Sequence, residues 1–232
     1  MPVHNPEKDA LQMAANREKL LEAGYRLFHT RTIESVSLEQ VAKAAGIGVA
    51  TLYRYFGNKT DLAIAISVWK WNEYLQELTL LQDTGVREKT GAEHFAFYLN
   101  SFLTMYRDHR DMLRYNQFFN VYIQGAGTDK ARMAPYEQVI GRFADRFRLI
   151  WEKGEKDGTL RTEIPWKQAF SATLHMMLAA VTRYAVGLAY QPEEGAGPEE
   201  ELAMLRDMMM RQYSTDTSSA LRAPSPQGEG CA

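Results

Sequence analysis

Cysteine is almost missing from this chain: the single one, Cys231, stands next to the C-terminus. One cysteine can form neither an internal disulfide nor a cysteine-rich zinc site, so an exposed tail thiol in a reducing compartment is expected. No uninterrupted apolar run approaches the roughly 20 residues that span a bilayer. Met1 to Ala10 is polar and lacks the apolar segment of a secretion signal. These absences predict a cytoplasmic protein with no membrane partner. An excess of charge of one sign is also lacking. The net charge is −2, so any surface for nucleic acid must be local and offset elsewhere. Enzyme signatures are absent too, with no G-x-S-x-G elbow, P-loop or cysteine–histidine pair. Gly125-Ala126-Gly127-Thr128 follows a helical pattern instead of a strand, which argues against a phosphate cradle. His94 and His109 lie fifteen apart without a carboxylate pattern suited to zinc. No catalytic residue, metal or cofactor is expected.

Strands are likewise unsupported, because alternation of apolar and polar residues between turn signals does not occur, whereas helical spacing recurs throughout. A hydrophobic share of 45% with 24% charged residues suits a packed globular chain. The reading is therefore all-α. A first helix is expected over Met13 to Thr30, with Leu20, Ala23, Gly24, Leu27 and Phe28 on one face. Ser37-x-x-Gln40 is a capping-box pattern opening a second helix, which Gly46 ends. A third runs from Val49 to Tyr55 until Gly57-Asn58. Asn58 caps a fourth that continues to Leu81, with Asp61 in its first turn. Further helices are expected at about 88–107, 111–124, 133–154, 165–189 and 198–213. From Ser214 the chain is rich in Ser, Thr, Pro and Gly and reads as a disordered tail.

The stretch from Ser37 to Lys59 has the size and layout of a helix-turn-helix, with its turn at Ala45-Gly46-Ile47-Gly48. From Lys43 to Lys59 there is no acidic residue, while Lys43, Arg54 and Lys59 supply three positive charges. A surface facing DNA phosphates needs that balance, because each contact releases condensed counterions. Thr51, Tyr53 and Tyr55 add hydroxyl donors for phosphate oxygens. Small residues at Gly48, Val49 and Ala50 would let the helix start enter a major groove roughly 12 Å wide. Leu52 and Phe56 would anchor it inward, although composition alone also allows both Tyr53 and Phe56 to be core residues.

At these positions the chain resembles the TetR family of repressors. The matching run is Leu27-Phe28, Ser37 through Ile47, Thr51-Leu52-Tyr53-Arg54-Tyr55-Phe56, Asn58-Lys59 and Leu62, about the first quarter of the chain. The resemblance implies phosphate contacts from Ser37, Thr51, Tyr53, Tyr55 and Lys59. It places Gly48, Val49 and Ala50, with Arg54, nearest the bases. Two departures stand out. Thr32 occupies a loop position where the family commonly has glycine, which implies a different loop. Val49 and Ala50 replace a frequent polar or basic residue and a glycine; their apolar contacts give weight to thymine methyls and DNA shape.

The resemblance further implies a three-part chain: a helix-turn-helix DNA-binding domain at 1–60, a helical ligand-binding and dimerisation domain at 61–213, and the tail at 214–232. The expected function is a transcriptional regulator, a ligand-released repressor that binds a palindromic operator in double-stranded DNA as a homodimer. Aromatics are dense in the helical remainder. Most are expected in its core, and Phe102, Tyr106, Phe118, Tyr122, Trp151, His175 and Met176 are candidates to meet a small-molecule inducer. His175, beside Met176 and Met177, reads more simply as a core histidine. A small-residue stripe of Ala169, Ala172, Thr173, Met176 and Ala180, with Leu202, Leu205 and Met209 on the last helix, is the candidate dimer interface. The alternative is that these faces close the monomer's own core, and a helical interaction protein that never touches DNA is the competing reading of the whole chain.

Overall fold

The computed structural model describes residues 6–82, 89–161, 163–190 and 195–215. Among them are nine helices: α1 (Pro6–Thr30), α2 (Leu38–Ala45), α3 (Val49–Phe56), α4 (Lys59–Gln82), α5 (Gly91–Asp108), α6 (Arg110–Ala126), α7 (Lys130–Asp157), α8 (Trp166–Val186) and α9 (Pro198–Tyr213). The helical reading of the sequence holds, and most ends fall within three residues of the pattern. The exception is α1, which starts seven residues earlier than Met13 because its first turns are exposed and carry no apolar stripe to mark them. Cys231 and most of the tail lie outside the described residues. The start of the proposed tail does not: Ser214 is buried and pairs with Leu160 in an isolated antiparallel bridge. Arg161 N donates to Tyr213 O, and Thr215 N to Thr159 O.

Two compact units are present. The first combines Met1–Glu77 with His109–Gly141. Its core joins Leu20, Phe28, Ile33, Val41, Leu52, Leu62 and Ile66 to Tyr115 and Phe119 of α6. The Tyr115 hydroxyl donates to the Ala63 carbonyl at 2.6 Å, which gives the buried phenol its partner. Packing therefore groups the chain differently from a sequence division at residue 60: α6 and the start of α7 belong with the helix-turn-helix.

The second unit comprises Leu78–Asp108 and Arg142–Ala232. In its core Phe147 stacks on Trp151, and Phe95 and Tyr213 meet Trp151 edge-on. At the start of α5 the helix backbone lies directly against the end of α7. A Cβ built on Gly91 would sit 2.2 Å from the Gly154 Cα. The α5 start is tied there by Gly91 N donating to Asp157 Oδ2 at 2.7 Å and Ala92 N to Thr159 Oγ at 3.0 Å. No described helix is long and apolar enough to cross a membrane.

Candidate nucleic-acid interface

The turn between α2 and α3 is built from local chemistry. Ser37 caps α2: its hydroxyl accepts from Gln40 N at 3.3 Å, while Gln40 Oε1 accepts from Ser37 N at 2.9 Å. Gly46 ends α2 at φ 67°, a left-handed conformation that glycine adopts without steric cost. Its neighbour Ile47 N returns to the Ala42 carbonyl at 2.9 Å, closing the helix end. Gly48 then opens α3 in extended backbone. Leu52 and Phe56, one turn apart, are both buried, so the α3 azimuth is fixed by its inward face.

Ala50, Tyr53 and Arg54 are left on the outer face, and Tyr53 is 45% exposed. Gly48, Lys43 and Ser37 are exposed as well, while Val49 and Thr51 are half-buried. Most of the sequence-derived set is thus exposed, three of its members on the outer face of α3. Glu39 is the nearby acid, on the first turn of α2; hydrogen bonds from its own amide and from Ser37 hold its carboxyl below the usual range, so it stays charged.

Two residues are placed otherwise. The Tyr55 hydroxyl is buried and meets no partner among the described residues, while its ring packs against the core and beside Phe56. A phosphate contact from Tyr55 would require its ring to turn outward. Lys59 is committed within the fold. Its ammonium donates to the carbonyls of Ile33, Glu34 and Val36 at 3.0–3.1 Å, so its three protons hold the loop between α1 and α2 instead of facing DNA. Lys59→Met should therefore destabilise the fold by about 2–3 kcal/mol, the loss of charge-assisted bonds to three carbonyls, read as a lower denaturation midpoint with the slope unchanged.

The start of α4 is gripped by groups that sequence spacing does not reveal. Thr60 Oγ and the Tyr122 hydroxyl lie 3.0 Å apart, and Lys59 stands 5.9 Å from the Tyr122 ring centre. Asp61 pairs with Arg132 at 3.2 Å, and the Arg17 guanidinium lies over Phe56 at 5.5 Å. These partners are 62 and 71 residues away for Thr60 and Asp61, beyond any helical periodicity.

Tyr122 and Phe118, read from sequence as pocket residues, pack on the core of the first unit. Phe102, Tyr106 and Trp151 are buried in the second, where Phe102 meets Tyr98 edge-on and Tyr106 meets Tyr184. His175 and Met176 are exposed on α8, so the core reading of His175 is overturned: the α8 face that packs inward is that of Ala169, Thr173, Met177 and Val181. Two of the seven thus belong to the first unit and five to the second. The interface set divides by burial. Ala169, Thr173, Leu202 and Met209 are buried in the second unit, and Ala180 and Leu205 are half-buried. Ala172 and Met176 remain on the surface, as do Met204 and Met208 of α9.

The sequence model of bacterial regulatory proteins of the tetR family matches residues 20–66, the span from the inward face of α1 to the first turns of α4. That match covers about a fifth of the chain, the helix-turn-helix and the helices on either side of it. An HTH-type transcriptional regulator of Staphylococcus aureus strain bovine RF122 / ET3-1 is 33% identical over 76 residues, 33% of this chain and 40% of that protein. An HTH-type transcriptional regulator of Staphylococcus aureus strain USA300 is 42% identical over 55 residues, 24% of this chain and 28% of that protein. The match thus spans less than half the length of these relatives. Solved structures extend the likeness in fold. The fatty acid degradation regulator FadR from Bacillus halodurans superposes with a TM-score of 0.65 at 14% identity, covering 84% of this chain and 94% of that one. A tetR-family regulatory protein from Rhodococcus RHA1 gives 0.64 at 14% identity, covering 84% and 95%. FadR from Bacillus subtilis, solved in complex with stearoyl-CoA, gives 0.64 at 14%, covering 83% and 97%. At such identities the shared property is the fold alone, an N-terminal helix-turn-helix followed by further helices.

Proposed function

We propose that the protein is a homodimeric transcriptional repressor, released from a palindromic operator by a small molecule. The observation that carries the reading is the outer face of α3, where Ala50, Tyr53 and Arg54 stand exposed in a stretch without acids, with Ser37 and Lys43 also exposed at the cap and in the last turn of α2. Phosphate contacts are assigned to Ser37, Lys43, Thr51 and Tyr53, and the groove floor to Gly48, Val49, Ala50 and Arg54. Apolar side chains at the helix start leave sequence discrimination to thymine methyls and DNA shape.

A dimer is supported by uncovered apolar side chains on two successive helices: Ala172 and Met176 on α8, Met204 and Met208 on α9. Two-fold pairing through them would present two α3 helices to two half-sites. Ligand release is supported by neighbours in fold, one of them solved with stearoyl-CoA. A ligand admitted among Phe102, Tyr106 and Trp151 has to open their aromatic packing. It would thereby favour one arrangement of the reading heads over another, lowering DNA affinity by its differential affinity for the two states. Work on chromosomal DNA places the protein in the cytoplasm.

Selection from a random double-stranded DNA pool at two salt concentrations tests the proposal. The expected product is a palindrome, bound less tightly at the higher salt. An enriched site without two-fold symmetry would sink the dimeric reading, and no enrichment from folded, ligand-free protein would sink DNA binding itself.

A further inference from the structure

Outside the DNA-reading helices, His94 of α5 and Arg146, Leu149, Ile150 and Lys153 of α7 line a cleft of about 290 Å³. The four α7 residues recur at three- and four-residue steps and so share one helix face, two turns long. A cation stands at each end of that face, about 10 Å apart along the axis, with two aliphatic side chains between them. Arg146 is oriented by donating to Thr79 Oγ at 2.6 Å. Lys153 forms no salt bridge among the described residues. Leu149 is 61% exposed beside these charges, and Ile150 is buried.

The third polar wall is His94. It is only 6% exposed, and its ring nitrogens are not among the described buried polar atoms that lack a partner, so the imidazole reaches the cleft that it lines. The neighbouring carboxylates are engaged by other groups. Glu93 accepts from Thr90 N and Oγ, and Asp157 accepts from Gly91 N and from Thr159. Burial first, and then Lys153 and Lys89, push the His94 pKa below its ordinary value, against the smaller opposing pull of Glu93 and Asp157. The ring is therefore neutral near pH 7 with the cleft empty.

We propose that this cleft binds an organic anion, a carboxylate or phosphate monoester bearing a short aliphatic chain. The anionic head meets Arg146, Lys153 and His94, and the chain covers Leu149 and Ile150. The volume suits a small ligand of this kind. An anion beside His94 offsets the two lysines and favours the imidazolium, so binding takes up a proton and strengthens as pH falls. The site holds whether or not the chain reads DNA, since none of its residues belongs to that surface.

Calorimetric titration of the full chain with hexanoate, hexyl phosphate, inorganic phosphate and hexanol tests this. Hexanoate and hexyl phosphate should bind and hexanol should not, and the stronger of the two anions identifies the preferred head. Hexanoate, ionised throughout, should bind up to about tenfold more tightly at pH 6 than at pH 8, with heats that depend on the buffer's ionisation enthalpy. Lys153→Glu, an exposed change with little risk to folding, should weaken both anions at least tenfold. His94→Asn should remove the pH dependence; if it fails to fold, the buffer dependence of the wild-type heats decides the same point. Hexanol binding as tightly as hexanoate, inorganic phosphate binding as tightly as hexyl phosphate, indifference to Lys153→Glu, or no binding of either amphiphile would each overturn the proposal.

Discussion

Gly91→Ala should destabilise the second unit by about 3 kcal/mol, at the upper end of the cost of inserting one carbon into a packed interior. The new Cβ would lie 2.2 Å from Gly154 Cα and 2.3 Å from Gly154 N. Both are backbone atoms, so no side-chain rotation relieves the overlap and the helices must part. Parting them strains the bonds from Gly91 N to Asp157 and from Ala92 N to Thr159. Gly154 cannot give way either, since Leu160 packs against its open side: a Cβ there would sit 2.4 Å from Leu160 Cγ. For a chain of this length the loss corresponds to a fall in Tm of about 6–12 °C. Gly141→Ala is the control. It lies within α7 with nothing within 4 Å of its added carbon, so it should be neutral or gain up to about 1 kcal/mol from helix propensity. Equal melting of Gly91→Ala and wild type would mean the close approach of α5 and α7 is not what the structure depicts.

The second large effect concerns DNA. The double variant Lys43→Ala/Arg54→Ala should bind the selected operator on the order of a hundredfold more weakly at low salt, with a shallower salt dependence. Both side chains are exposed, so thermal stability should hardly change, which separates a lost contact from a lost fold. Single substitutions sort the roles. If Arg54 reads a base edge, Arg54→Ala relaxes preference at one operator position by about 1–3 kcal/mol. If it contacts phosphate, affinity falls evenly across sequences. Lys59 is unsuited to such a test, because its ammonium holds the carbonyls of Ile33, Glu34 and Val36 and its removal confounds binding with folding.

The contrast between Lys43 and Lys59 shows where sequence ceases to speak. Both are cations flanking an acid-free helix, and composition gives them the same role. Only the path of the loop at 33–36 makes one a surface charge and the other an internal clamp. Tyr53 and Tyr55 part in the same way: two residues apart on α3, one is exposed and the other has its hydroxyl buried. The aromatic positions divide for the same reason. Helical spacing put Tyr122, Trp151 and His175 on helices. It did not indicate that Tyr122 would reach Thr60, that Trp151 would stack on Phe147, or that His175 would face solvent.

By itself the sequence determined what depends on neighbours within one helical turn. That covers the all-α class, most helix ends, the Ser37–Gln40 capping box, the left-handed stop at Gly46, the inward pair Leu52 and Phe56, and a basic third helix with family resemblance. Each rests on hydrogen bonds or faces set by separations of three or four residues, which spacing encodes directly. Tertiary structure alone decided which helix faces meet: α6 joining the helix-turn-helix core, Gly91 lying on Gly154, Ser214 pairing with Leu160, and His94 buried beside Arg146 and Lys153. Those outcomes depend on the rotation and crossing of helices distant in sequence. A periodic pattern says which side of a helix is apolar but not what it will be pressed against.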